Sequence, residues 1–184
     1  IFSDNTTPDE STILYNGEEV TTIANKNLGN RFIHGYSIDG FSYFSRSLKL
    51  NGSLSYVKGD ENETYGPMPS ISPIFGTISG EYTKDKIKIS ALYKFSGDKS
   101  PKDYSLGGED GLEETPVITE NSNGIIYAGT PKWSDFSIYT NYDISEDVKI
   151  RIALTNIFDN HYRTFASGIS APGRSFQIGL YLKL

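Results

Sequence analysis

The last ten residues, Ser175-Phe176-Gln177-Ile178-Gly179-Leu180-Tyr181-Leu182-Lys183-Leu184, alternate without a break. Phe176, Ile178, Leu180, Leu182 and Leu184 fall on one face, and Ser175, Gln177, Gly179, Tyr181 and Lys183 on the other. Successive side chains of a strand point to opposite faces, so this is a strand with one wholly apolar face. The same period runs upstream. Val148, Ile150, Ile152 and Leu154 oppose Lys149, Arg151, Ala153 and Thr155. Phe136, Ile138, Tyr142 and Ile144 oppose Asp135, Ser137, Tyr139, Asn141 and Asp143, with Thr140 the weak apolar position. Ile87, Ile89, Ala91, Tyr93 and Phe95 oppose Lys88, Ser90 and Lys94, and Leu48, Leu50, Leu54 and Tyr56 oppose Lys49, Asn51, Ser53 and Ser55. Segments 31–44 and 74–82 carry weaker versions; in the first, Phe32, His34, Tyr36 and Ile38 share a face in one of two phases.

These runs predict about seven strands of roughly ten residues, the length that crosses a bilayer at the tilt of a barrel strand. Alternation alone leaves open a sandwich or lipocalin-like fold with its apolar face inward. The connections favour a membrane wall. Tight polar turns at Ser45-Arg46-Ser47, Lys84-Asp85-Lys86 and Ser145-Glu146-Asp147 alternate with long polar loops at about 58–73, 97–132 and 158–173. Short turns at one end and long loops at the other are the asymmetry of an outer-membrane barrel. The expected fold is therefore all-β, an antiparallel transmembrane β-barrel segment with short periplasmic turns and long extracellular loops. Residues 1–30, which show no clear strand, are expected to form an extracellular loop region, and residues 31–184 the barrel portion.

Composition fits this. Only 36% of the 184 residues are hydrophobic, yet 13% are aromatic, with 13 Tyr, 10 Phe and 18 Gly, and the charged fraction is an ordinary 22%. A chain poor in aliphatics but rich in aromatic β-formers has many strands with one apolar face each. No cysteine is present, which excludes disulfides and thiolate metal sites, and the net charge of −6 disfavours nucleic-acid binding. No run approaches the length of a transmembrane helix. Ile1-Phe2-Ser3-Asp4 has neither the basic nor the apolar region of a signal peptide.

Catalytic signatures are absent. Gly168-Ile169-Ser170-Ala171-Pro172-Gly173 misses the nucleophile-elbow spacing by one residue. His34 and His161 are the two histidines, too far apart to argue a metal site. Clustered carboxylates such as Asp60-Glu61-Asn62-Glu63 are suitable calcium ligands, but solvated loop charge explains them as well. No enzyme, metal or cofactor is implied. Trp133 and the strand-end tyrosines suit a membrane-interface girdle. Phe158 and Tyr162 are placed to anchor the last loop on the rim, and Arg174 either to pair with acidic loop residues or to stand exposed.

Gln177, Gly179, Leu182 and Leu184 follow a polar-x-Gly-x-x-apolar-x-apolar pattern that resembles the signal read by the outer-membrane assembly machinery; that family usually ends in an aromatic residue, where this chain has Leu184. A larger set of motifs resembles the closing sequence of TonB-dependent receptors: Met68-Pro69-Ser70-Ile71-Ser72-Pro73, Gly129-Thr130-Pro131-Lys132-Trp133, Asn156-Ile157-Phe158-Asp159-Asn160-His161-Tyr162-Arg163, then Ser167-Gly168 and Pro172-Gly173-Arg174. The resemblance covers about residues 30–184. It implies the last part of a barrel that surrounds an N-terminal plug, energised by periplasmic TonB, in the outer membrane of a Gram-negative bacterium. The implied partners are outer-membrane lipid, the plug and upstream strands, TonB through that plug, the assembly machinery, and an imported nutrient such as a ferric siderophore, haem or cobalamin. The Phe-Arg-Ala-Pro box of the family's haem receptors is not found. Tyr104, Glu109, Asp110, Tyr162 and Arg163 are the candidate ligand contacts. Two other classes stay open: a self-contained small outer-membrane barrel acting as adhesin or anchor, and a soluble β-rich binding module.

Overall fold

A computed structural model describes residues 12–21, 30–62, 66–105, 109–122 and 124–183. In chain order the strands are β1 Thr12–Tyr15, β2 Glu18–Thr21, β3 Ile33–Tyr43, β4 Leu48–Gly59, β5 Glu61–Asn62, β6 Gly66–Pro67, β7 Phe75–Lys84 and β8 Ile87–Ser96, followed by β9 Val117–Asn121, β10 Gly124–Tyr127, β11 Trp133–Asp143, β12 Val148–Thr155 and β13 Ser175–Leu182. Every alternating run of the sequence becomes a long strand. Seven of them form one antiparallel sheet in the order β13-β12-β11-β8-β7-β4-β3. Among the described residues no helix is long and apolar enough to cross a membrane.

This sheet is open, which corrects the expected transmembrane β-barrel. Among the described residues β13 pairs with β12 alone and β3 with β4 alone, so each end of the sheet has a free edge rather than a closing partner. A second correction concerns residues 1–30, read as a region without strands: β1 and β2 pair as a hairpin, Thr12 with Thr21 and Tyr15 with Glu18, as a separate two-stranded sheet. The 97–132 loop likewise holds the hairpin β9–β10. Residues 22–29, and the final Leu184, lie outside the described residues.

Register sorts the side chains into two faces. Ile38 stands opposite Leu54, Gly52 opposite Ile78, Ile78 opposite Tyr93, Tyr93 opposite Phe136, Ile138 opposite Leu154 and Leu154 opposite Phe176. One apolar face thus runs across all seven strands. It includes Tyr36 and Ile38, which settles the phase of β3. Among the described residues nothing covers this face: Ile178 is 68% exposed and Leu180 61%, and only Met68, Tyr104 and Ala153 are buried apolar side chains.

The opposite face is tied by cross-strand polar bonds. Ser37 meets Ser55 at 3.2 Å, Ser53 meets Thr77 at 2.7 Å, and Asn51 Nδ2 donates to Ser79 Oγ at 3.2 Å. Lys88 pairs with Glu81 at 2.8 Å, Lys94 with Asp135 at 3.3 Å and Lys149 with Asp143 at 3.1 Å. Arg151 Nε donates to Asn141 Oδ1 at 3.0 Å, and Thr155 meets Ser175 at 2.8 Å. Cross-strand pairs of this kind, directly opposed except for the diagonal Lys88–Glu81, contribute a few tenths of a kcal/mol to about 1 kcal/mol each.

Two of the three tight turns share one device. Ser45 Oγ accepts from Leu48 N–H at 3.1 Å while Phe44 N–H reaches Leu48 O at 2.9 Å; Ser145 Oγ accepts from Asp147 N–H at 3.4 Å while Ile144 N–H reaches Val148 O at 2.9 Å. Asp85 turns the third hairpin at φ +50°, a left-handed conformation that Asp tolerates better than most residues.

Gly76 is required by close approach. A Cβ there would lie 2.8 Å from Phe95 Cζ and 2.5 Å from the Ser53 carbonyl oxygen, so the Phe95 ring occupies the space a side chain would need. Gly76→Ala is therefore expected to lower stability by about 1–3 kcal/mol through overpacking. Gly40, with nothing within 4 Å of its Cβ position, should accept alanine without comparable loss. Denaturant unfolding of both variants in a lipid or detergent environment checks the contrast.

Candidate functional site

The long loops rise from one end of the sheet and are held by three polar anchors. The first is the buried pair Lys99–Asp110. Lys99 Nζ lies 2.8 Å from Asp110 Oδ2 and donates to Ile71 O at 2.7 Å, and Asp110 Oδ1 accepts from Ser70 N–H at 2.6 Å. Lys99 also sits 4.1 Å from the centre of the Phe165 ring and 4.9 Å from that of Tyr104. Three loops therefore converge on one ammonium, which is desolvated and fully partnered, as a buried charge must be. The Tyr104 hydroxyl meets Thr130 Oγ1 at 2.6 Å, and burial pushes its phenol pKa up, with the charge of Asp110 adding to this.

The second anchor is at the start of β11. Tyr162 stacks on Trp133 with ring centres 4.2 Å apart and donates its hydroxyl to Asp135 Oδ2 at 2.9 Å. Asp135 also receives Ser137 Oγ at 2.9 Å. Burial, then the hydrogen bond to Asp135 and its charge, pushes the Tyr162 phenol up to about 12. Phe158 stacks on Phe136 at 6.0 Å, so both expected aromatic anchors of the last loop do contact the strand end.

The third anchor is Asn156. Its Nδ2 donates to Asn160 O at 2.9 Å and Pro172 O at 3.0 Å, and its Oδ1 accepts from Asn160 N–H at 3.0 Å. Asn160 Nδ2 then donates to Ser134 O at 2.9 Å. Asn156 and Asp159 adopt positive φ of 47° and 56°, which these residue types tolerate. Asp159 Oδ1 accepts from the Arg174 backbone N–H at 2.7 Å; the Arg174 guanidinium makes no ion pair among the described residues.

Between these anchors lies a cleft of about 280 Å³, with Glu114, Pro116, Thr130, Lys132, His161 and Arg163 in its wall. Arg163 Nη1 donates to Glu114 O at 2.8 Å and lies 3.4 Å from Glu114 Oε2, while Arg163 Nε donates to Ser170 Oγ at 3.2 Å. His161 Nε2 is 3.2 Å from the same Ser170 oxygen. Lys132 is exposed and has no ion-pair partner among the described residues.

The candidate contacts separate into two groups. Tyr162 and Arg163 line the cleft. Tyr104 and Asp110, 3% and 2% exposed, lie beneath it as part of the Lys99 anchor. Glu109 is exposed and accepts from Ser105 Oγ at 2.9 Å. Among the terminal-strand residues, Gln177 stands opposite Ala153 on the polar face and Leu182 opposite Val148 on the apolar one. A Cβ on Gly179 would lie 3.3 Å from Tyr181 Cε2, so that glycine makes room for the Tyr181 ring, which also faces Arg151 at 5.4 Å. Leu184 lies outside the described residues. Lys99 and Phe165 are not marked by the sequence, Asp135 is marked there only as a polar-face strand residue, and Asn156 only as the first residue of a motif, without its role as an anchor.

Among the described residues no group of His, Cys, Asp and Glu could hold a metal ion. No protein-family model matches the chain, and no curated protein matches it in sequence. Solved structures do match its fold. They include the copper transporter OprC (16% identity, TM-score 0.66), the siderophore receptor PirA from Acinetobacter baumannii (19%, 0.62) and the FrpB iron transporter from Neisseria meningitidis (13%, 0.59). Each match covers 94% of this chain but 25–26% of the other, so the chain spans about a quarter of the length of those proteins. At these identities the likeness is one of fold.

Two outcomes are expected. Lys99→Met leaves Asp110 buried without its charge partner and should destabilise the loop cluster by about 3–5 kcal/mol, whereas Lys99→Met with Asp110→Leu should recover much of that; hydrogen exchange and limited proteolysis of the 97–110 segment read the difference. The Tyr162 phenol is neutral when protonated and its folded pKa is raised. Its contribution is therefore full below pH 10 and lost as pH climbs toward 12. A phenolate absorbance titration should lose one late-titrating group in Tyr162→Phe.

Proposed function

We propose that this chain is part of a TonB-dependent receptor in the outer membrane of a Gram-negative bacterium, supplying a section of its membrane wall and loops that face an imported nutrient. The observation that carries this is the apolar face spanning seven strands with no cover among the described residues. A soluble sheet hides such a face in a core, and an exposed patch of this extent marks an interaction surface. Lipid suits it, because strands of eight to twelve residues match the hydrocarbon thickness and the other face carries most of the sheet's charged and hydroxyl side chains. The closing motifs and the likeness to transporters and receptors of metals and siderophores support the same reading.

In this arrangement residues 31–184 are the C-terminal portion of the receptor, and residues 1–30 belong to its outer loops, with the hairpin β1–β2 among them. Other strands of the receptor pair with the free edges of β3 and β13, since unpaired backbone groups in lipid cost several kcal/mol each. The plug sits against the polar face and connects to TonB. Gln177, Gly179, Leu182 and Leu184 serve the assembly machinery. The cargo is an iron chelate or similar nutrient too large for simple pores, met at the cleft beside Tyr162 and Arg163. The chain acts by binding and passage, not by catalysis. A self-contained small barrel is the weaker reading, because β1–β2 stands apart from the large sheet instead of closing it.

Labelling of intact cells tests the orientation. A tag or protease site near Glu109 should be reached from outside, and one at Asp85 should not; the reverse pattern overturns the topology. In a folding assay of the full-length protein, Leu180→Arg should cost about 2–4 kcal/mol and Gln177→Arg much less. Equal tolerance at the two positions would contradict lipid contact at Leu180.

A further inference from the structure

At the loop end of the apolar face, a groove of about 660 Å³ opens between the ends of β8 and β11. Its floor is aromatic. Tyr93 and Phe95 belong to the apolar face and stack on each other with ring centres 6.0 Å apart. Ser134, small, stands directly opposite Phe95 in the register and leaves a notch beside the ring. Its upper wall is polar and basic, with Lys132, Asn160 and His161. No acidic side chain is among the residues that line it, and Lys132 is free of ion pairs among the described residues. Below the groove the apolar face continues without interruption through Phe136, Ile138 and Ile89.

We infer that this groove binds a phosphorylated, anionic amphiphile of the surrounding lipid layer, its phosphate at Lys132 and an acyl chain laid over Phe95, Tyr93 and the apolar face below. Two features select that occupant. An uncompensated cation directly above an aromatic floor is complementary to a molecule with a negative head and an apolar body. The groove is also continuous with the face assigned to lipid, so a membrane component enters it laterally, without crossing water. His161 and Asn160 offer further polar contacts at head-group height, where aromatic and basic side chains together mark the membrane boundary. One lysine near a lipid surface enriches an anionic head group by about fivefold. This site adjoins the nutrient cleft, sharing Lys132, His161 and Tyr162 with it, but has its own floor of Tyr93 and Phe95. It rests on the membrane placement proposed above.

Trp133 lines the groove and is the one tryptophan of this chain, which makes it a built-in probe. The full-length protein is reconstituted into phosphatidylcholine vesicles containing a small, equal fraction of either acyl-brominated phosphatidylglycerol or acyl-brominated phosphatidylcholine. The Trp133 signal is obtained by difference from Trp133→Phe. Quenching by the brominated phosphatidylglycerol should exceed that by the brominated phosphatidylcholine several-fold. The excess should vanish in Lys132→Gln and persist in Lys102→Gln, which removes the same charge outside the groove. Equal quenching by both lipids overturns the inference while leaving the membrane reading intact, and quenching by neither overturns both. An excess that survives Lys132→Gln overturns the assigned site. Relief of quenching by soluble glycerol phosphate at equal concentration shows a free-phosphate site and overturns the lipid assignment.

Discussion

The hydrogen-bonded register of seven antiparallel strands is the constraint on which everything else in the molecule rests. Because the side-chain period is two, a slip of one residue in any pair would move a whole strand's apolar set to the polar face. Here no pair slips: Ile78 faces Tyr93 on one side while Thr77 faces Lys94 on the other, and the same sorting repeats from β3 to β13. The tight turns, two of them with serine caps, hold that register at one end. The cross-strand pairs Glu81–Lys88, Asp135–Lys94 and Asp143–Lys149 penalise slippage along the polar face.

A sheet sorted in this way is inside out for water. Its polar side chains satisfy one another on one face, and its apolar side chains have no protein to pack against. Stability then depends on what the apolar face meets, and lipid or a comparable apolar surround is the physical complement. Aromatic residues gather toward the loop end of that face, with Phe95, Phe136, Phe158 and Tyr93 in contact as stacked pairs. Such rings tolerate a boundary where one end is apolar and the other wet.

The loops obey a different rule. They are fixed instead by a few buried charges and amides that find partners across the loops. Lys99 and Asp110 gather three loops, Asn156 folds the last one back on the strand ends, and Tyr162 clamps it to Trp133 and Asp135. Networks of this type are strong when complete and costly when broken. They leave the cleft at Arg163 and Glu114 with preformed walls.

Alternation in Ser175–Leu184, and in the runs that begin at Leu48, Ile87, Phe136 and Val148, was enough to place the strands and to tell their faces apart, because local geometry dictates where successive side chains point. The positions of the tight turns and long loops were legible for the same reason. Closure was not legible: whether a sheet's edges meet depends on curvature and on which strands are present, and among the described residues the sheet has two free edges where a transmembrane barrel was expected. Hairpins such as Thr12–Thr21 were hidden because they are short and lack a sustained apolar face. Tyr104 and Asp110 were singled out as polar loop residues, but only the tertiary structure could bury them against Lys99, since that pair joins positions brought together by the packing of separate loops. Sequence periodicity thus determined the sheet and its two faces, and the three-dimensional arrangement decided the edges and the loop contacts, because both depend on groups that lie far apart along the chain.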